Sequence, residues 1–306
     1  MTTTKLTTPH SSAQNAYADM PYDKVLVDLH ETYLEILDVI DKFCQDNDIQ
    51  WFLDAGTLLG AIRHKGFIPW DDDVDISMLR QDYDKFCRLA QTGLPEGYSL
   101  SLPSDSDFSG ALFARVNKDN TRFATQQTSD PSHIAPIAID IFAYDYLAKD
   151  EKLQRRQKRN CKLWQSIAYI YNSANLSVLH NGLGHTIIKQ GVKLAHHLLK
   201  RLYTVDSIYR KFMRGCIRDE DVLGDELFIM SYPGYTGFTK DMFLPAAQGV
   251  FENRTYPIPH DSIGYLENMY GDWQEIPDIN SRHTHQPLLL DLGDGRVWKQ
   301  KDCPFN

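Results

Sequence analysis

The chain has 306 residues, 42% of them apolar, and a formal net charge of −9. That is enough for one large domain or two modest ones with real cores, and the acidity speaks against nucleic acid as a main partner. The five cysteines are odd in number and form no C-x-x-C pair, which argues against a zinc or disulfide framework and suits a reducing cytoplasm.

Residues 1–20 lack an apolar h-region and read as a polar, disordered tail. No stretch is long and apolar enough to span a bilayer, so any membrane contact is expected from the surface, on the inner face of the plasma membrane. Tyr22 to Cys44 reads as an amphipathic helix, with Leu26, Leu29, Tyr33, Ile36, Leu37, Ile40 and Phe43 at helical spacing. Gln50 to Leu53 is a short strand, and a second helix runs from Gly56 to Arg63. Asp73 to Met78 alternates as a strand, and Gln81 to Ala90 returns to helix. Ala111 to Val116 and Pro136 to Phe142 are further strands. Alternating strands and helices predict an α/β or α+β fold, a small mixed sheet flanked by helices.

Charge is uneven along the chain. Glu151 to Arg218 holds 14 Lys and Arg against two acids, Glu151 and Asp206, a local net of +12 that leaves −21 elsewhere. This marks 151–224 as a basic helical region inserted between a core at 21–150 and its C-terminal part at 225–306. Within it, residues 185–203 divide into an apolar half (Ile187, Ile188, Val192, Leu194, Ala195, Leu198, Leu199, Leu202, Tyr203) and a basic half (Lys189, Lys193, His196, His197, Lys200, Arg201). Two readings stand level: an anionic membrane surface as partner, or a helix packed on the core with a solvated basic face.

The chemistry concentrates between Gly56 and Asp75. Asp73 and Asp75, spaced i, i+2 on a strand, share one face, and Asp71 precedes them by two more. Oxyanions so placed repel unless a cation sits between them, and Mg²⁺ or Mn²⁺ with substrate phosphate suits such a set. A calcium loop fits poorly, because Ile76 stands where Gly is needed and Asp82 where Glu is needed. A solvated helix-capping turn leaves Asp75 unexplained inside an apolar strand. Asp140, in the apolar run Ile137–Phe142, is the third expected carboxylate, because a lone buried Asp is costly unless paired or metal-bound. Gly56 and Thr57 open a helix whose amides can hold phosphate, and Arg63, His64 and Lys65 close it with charge for a diphosphate.

The run from Phe52 through Gly56-Thr57-Leu58-Leu59-Gly60, Arg63-His64-Lys65-Gly66, Pro69-Trp70 and Asp71-Asp72-Asp73-Val74-Asp75-Ile76 resembles the signature of the LicD family, which is similar to fukutin and the fukutin-related protein. Ile139-Asp140-Ile141-Phe142 is similar to its third-carboxylate strand, and Tyr265-Leu266 with Met269-Tyr270-Gly271-Asp272-Trp273 to its C-terminal motif. The resemblance implies a nucleotidyltransferase-like fold. It further implies transfer of a phospho-substituent from a CDP-activated donor to a hydroxyl of a cell-surface glycan or its lipid-linked precursor. Phosphocholine is the expected cargo, with glycerol phosphate and ribitol phosphate as alternatives. The implied catalytic residues are Asp71, Asp73, Asp75 and Asp140, with metal on Asp73, Asp75 and Asp140. Donor binding would fall to Gly56, Thr57, Arg63, His64, Lys65 and Trp70. A choline headgroup needs an aromatic cage, for which Trp70, Tyr232, Tyr235, Tyr256, Tyr270 and Trp273 are candidates. A non-catalytic nucleotide- or glycan-binding module is the reading of another class.

Overall fold

The computed structural model describes residues 17, 20–105, 111–125, 134–172, 185–278, 281–282, 284, 287–301 and 303, with only the backbone of 185–189. The tail expected at 1–20 lies almost wholly outside the described residues.

Helix α1 (Tyr22–Asp46) buries Val25, Leu26, Leu29, Tyr33, Ile36, Leu37 and Ile40 against the sheet, the stripe that its 3.6-residue spacing requires. It is followed by β1 (Phe52–Leu53), α2 (Ala55–Arg63), β2 (Asp75–Leu79), α3 (Arg80–Gly93), β3 (Tyr98–Ser101), β4 (Ala114–Ala124) and β5 (Ala135–Ala148). Then come three helices, α4 (Glu151–Asn172), α5 (His185–Leu202) and α6 (Val205–Phe212). The chain returns to the sheet in β6 (Leu223–Ile229) and β7 (Thr236–Thr239), passes a short turn of helix, α7 (Lys240–Phe243), and a hairpin of β8 (Ala247–Phe251) and β9 (Arg254–Ile258), and ends in α8 (Ser262–Tyr270), β10 (Leu289–Asp291) and β11 (Val297–Lys299).

The fold is the expected helix-flanked mixed sheet. Among the described residues nine strands join it, in the path β1-β2-β5-β4-β10-β11 with β3, β6 and β7 attached at its sides. Only β2 and β5 pair in parallel; every other pairing is antiparallel. Both long central strands exceed their sequence reading. The sequence reading ends this strand at Val116, whereas β4 runs on through Asn117-Lys118-Asp119-Asn120 to Ala124. Pairing overrides that reading: Thr121 Oγ1 accepts from the Ile137 N–H at 2.8 Å, Asn120 takes a left-handed φ of 61°, and Leu289–Asp291 pairs with the far end of the strand.

The basic region is helical, as its composition suggests, and has its own buried cluster: Leu147, Cys161, Ala168, Ile208, Phe212, Phe228 and Met230 among them. Because β6 follows it and pairs with β5, the helices sit on strands that also build the main sheet.

One buried ion pair ties these parts together. Arg80, at the start of α3, donates from Nε and Nη2 to the two oxygens of Asp145 on β5, at 2.8 and 2.6 Å. Both side chains are nearly inaccessible to water. Removing one partner strands a buried charge, so Asp145→Ala is expected to lower unfolding free energy by about 3–5 kcal/mol in urea titration. A loss under 1 kcal/mol (~fivefold in the folding equilibrium) would show that water reaches the pair.

Candidate active site

The loop between α2 and β2 is pinned from three sides. From α1, the Tyr33 hydroxyl donates to the Asp72 carbonyl at 3.0 Å, Tyr22 donates to Asp72 Oδ2 at 3.3 Å, and His30 Nε2 meets the Asp71 carbonyl at 2.8 Å while its ring stacks 3.8 Å from Phe67. From the β8–β9 turn, Glu252 accepts from the Phe67 N–H at 3.0 Å and donates its own N–H to the Lys65 carbonyl at 2.7 Å. Beneath the loop, a Cβ on Gly60 would lie 2.5 Å from the Gly66 carbonyl, so only glycine lets the helix and the loop approach this closely.

This clamp sorts the acidic run. Asp72 is buried and turned toward α1, whereas Asp71, Asp73 and Asp75 stay partly open. Gly56, in the first turn of α2, lies against Asp71: a Cβ there would stand 3.3 Å from Asp71 Oδ2. The Thr57 hydroxyl accepts from the Asp75 N–H at 2.9 Å and fixes the start of β2 to the same turn. Thr57 therefore holds the strand as found, and Gly56 leaves room for the carboxylate.

The parallel register of β2 and β5 pairs Asp75 with Asp140. The antiparallel register of β4 and β5 pairs Asp140 with Arg115. Residues in register on neighbouring strands point to the same face, so the three form a row across the sheet. Arg115 donates to Asp140 from Nε at 2.7 Å, with Nη2 3.4 Å from the other oxygen. Arg115 escaped the sequence reading, since a lone Arg at a strand end carries no motif; only register shows that it faces Asp140. The packing around Asp75 pushes its carboxyl well above the usual range, and the charges of Asp73, Asp140, Asp54 and Asp71 push the same way.

Among the described residues no group of three or more His, Cys, Asp or Glu side chains is arranged to hold a metal ion, and Asp140 is engaged by Arg115. The donor chemistry nonetheless fits a hard cation that takes one or two carboxylates and completes its shell with substrate phosphate. Asp73, in the loop before β2, and Asp75, the first residue of β2, are the carboxylates that would supply them.

The remaining expected residues divide. Arg63 donates from Nη1 to the carbonyls of Trp273 at 2.9 Å and Glu275 at 3.1 Å, and its Nε donates to His64 Nε2 at 3.0 Å. It ties the C-terminal motif to α2 as found. Lys65 is exposed, with a left-handed φ of 62°. Trp70 carries the Arg282 guanidinium 3.8 Å above its ring. Of the aromatic candidates, Tyr256 is buried and hydrogen-bonded to Asp38, so it cannot touch a ligand here. Tyr232, Tyr235 and Tyr270 are each more than a third exposed. Burial and then Asp140 and Asp75 push the Tyr232 phenol up to about 12; burial, then Asp75, Asp54 and Asp71, raise that of Tyr270. Both therefore stand within the field of the carboxylate row.

Sequence reasoning also passed over Asp54. This fully buried residue, just before α2, accepts from the hydroxyls of Tyr144, at 3.2 Å, and Tyr265, whose own oxygen accepts from the Ala55 N–H at 3.3 Å. Ala55 takes a left-handed φ of 42°, costly for a residue with a side chain. The C-terminal motif thus holds the turn that opens α2. Asp54 Oδ2 and the buried Ser77 hydroxyl lie close without meeting in good hydrogen-bond geometry.

Burial raises the Asp54 carboxyl from 3.8 to about 6, against the opposing effect of its hydrogen bonds. A carboxyl with a raised folded pKa contributes stability that is complete below pH ~4 and lost as pH climbs through ~6. Asp54→Asn retains an acceptor for both tyrosines and cannot ionise. In EDTA, its stability relative to the wild type is expected to rise by roughly 3 kcal/mol between pH 4 and pH 7. A difference flat with pH in paired denaturant titrations would mean that Asp54 titrates normally.

A mixed sheet with a Gly-Thr helix opening beside aspartates on adjacent strands is the arrangement expected of a nucleotidyltransferase-like domain. Residues 48–166 match the family model described as LicD/FKTN/FKRP, nucleotidyltransferase domain, so the chain carries a LicD-family domain over those residues. It is 28% identical over 268 residues to the lipopolysaccharide cholinephosphotransferase LicD of Haemophilus influenzae, covering 84% of this chain and 95% of that protein. A shorter match, 34% over 74 residues, links it to the ribitol-5-phosphate transferase FKTN of Mus musculus, covering 24% of this chain and 16% of that protein.

Proposed function

We propose that this protein transfers a phospho-substituent, phosphocholine first among the candidates, from a CDP-activated donor to a hydroxyl of a cell-surface glycan or its lipid-linked precursor. The observation that carries the reading is the row Asp75, Asp140, Arg115, set in register beside Asp71 and Asp73 and held by the family's own motifs. The near full-length similarity to a cholinephosphotransferase supports the cargo.

Mg²⁺ or Mn²⁺ held by Asp73 and Asp75 would offset charge on the donor diphosphate. Gly56 keeps the turn open beside Asp71, and Asp71 orients the loop. Arg115 fixes Asp140 and places a guanidinium where phosphoryl oxygens gather charge. Asp140 is the base positioned to accept the proton of the acceptor hydroxyl. Tyr232, Tyr235 and Tyr270, each more than a third exposed, are the aromatic side chains available to a quaternary ammonium. Ribitol phosphate is the second reading, favoured by the match to FKTN.

The test offers CDP-choline, CDP-glycerol and CDP-ribitol with lipopolysaccharide as acceptor and identifies both products by mass spectrometry. CMP together with a phosphocholine-bearing glycan is expected. Transfer of CMP to the acceptor with release of the phospho-alcohol, or binding without turnover, would sink the reading.

A further inference from the structure

The apolar half of α5 is not all packed. Leu199 and Tyr203 turn inward, partly buried against the second core, where the Tyr203 ring lies 5.5 Å from Trp164. His196 Nδ1 lies 2.9 Å from the Ile170 carbonyl, and the Lys200 ammonium sits 4.2 Å from the Tyr171 ring centre. These contacts fix which side of α5 faces α4. Leu194, Leu198 and Leu202, at i, i+4 and i+8, form a separate stripe that stays 63%, 49% and 71% exposed. Beside it runs a second exposed stripe in the same register: Lys193, His197 and Arg201. Solvent-facing leucines in a continuous row are not what a helix stabilised only by core packing shows.

We propose that α5 seats this protein on an anionic membrane surface, with Leu194, Leu198 and Leu202 among the acyl chains and Lys193, His197 and Arg201 at the phosphate headgroups. An apolar stripe bordered by cations is the arrangement of a helix lying in the bilayer interface, where long basic side chains reach up to the headgroups. Charge favours lipid over the other occupants. Residues 151–218 carry a net +12 and the rest of the chain −21, so the basic side turns toward an anionic surface while the remainder is repelled from it. A second copy on this face would oppose two basic surfaces, and a soluble polyanion has no use for exposed leucines. Among the described residues no helix is long and apolar enough to cross a membrane, so seating is in the plane. The inference goes beyond the transfer reaction and holds whichever donor is used.

The experiment is co-sedimentation of the full chain with vesicles of phosphatidylcholine alone and mixed with phosphatidylglycerol, at low and high salt. Wild-type protein is expected to partition onto the mixed vesicles at low salt, and less at high salt. Leu194→Ser/Leu198→Ser/Leu202→Ser is expected to lose at least ~10³-fold in partitioning, since each leucine side chain forfeits its burial. Lys193→Gln/Arg201→Gln is expected to lose about 25-fold, near fivefold per cation. All five positions are exposed, so melting temperatures should match the wild type. Absence of wild-type retention at low salt overturns the proposal. So does a leucine variant retained as well as the wild type, which would mean charge adsorption alone. A concentration-dependent dimer lost in the leucine variant, without vesicle binding, overturns it in favour of self-association.

Discussion

Asp75→Asn is expected to lower transfer by at least ~10³-fold while leaving the apo protein more stable than the wild type. The activity loss follows from removing the carboxylate at the β2 end of the row, one of the two proposed metal ligands, because one missing electrostatic partner in a preorganised site costs ~10²–10³ in turnover and a lost metal ligand costs more. The stability gain follows from the same crowding. Burial and four neighbouring carboxylates oppose ionisation of Asp75, and an amide of the same shape relieves that repulsion without opening a cavity. Turnover and the melting temperature in EDTA are measured on one preparation. Lost activity with a lowered melting temperature would make Asp75 a structural residue and overturn this assignment.

The second large effect belongs to Arg115. Arg115→Ala is expected to cut turnover by ~10²–10³-fold, the usual loss for a charge-stabilising donor. It also releases Asp140 from its hydrogen bond and ion pair. A released carboxylate beside Asp75 adds to the cation site, so half-saturation by Mn²⁺ should move to lower concentration even as turnover falls. Arg115→Lys should recover little, because an ammonium cannot span both oxygens of Asp140. Unchanged metal dependence would show that Arg115 acts on the substrate without restraining Asp140.

Much of this architecture was legible in the sequence because its determinants are local. Helical spacing marked α1, and the Gly-Thr turn and aspartate spacing marked the α2–β2 unit, since backbone geometry enforces both within a few residues. The cost of burying a lone carboxylate singles out Asp140, which the structure leaves partly exposed and pairs with Arg115. What escaped was non-local. Arg115 faces Asp140 only through strand register, 25 positions away, and Asp54 acquires its meaning from Tyr265, 211 positions away. The far half of β4 is polar and became strand through pairing with β5 and β10. Arg63 shows the converse: a cation expected on phosphate that the fold engages with the backbone of residues 273 and 275.

Asp73, Asp75 at the start of β2 and a divalent cation are proposed together to hold the donor diphosphate. Calorimetric titration of CDP-choline into the wild type and Asp75→Asn, each with Mn²⁺ and with EDTA, tests this most directly. Binding is expected for the wild type with Mn²⁺, weakened at least ~30-fold (about 2 kcal/mol) in EDTA or in the variant. Equal affinity in all four titrations would contradict the account.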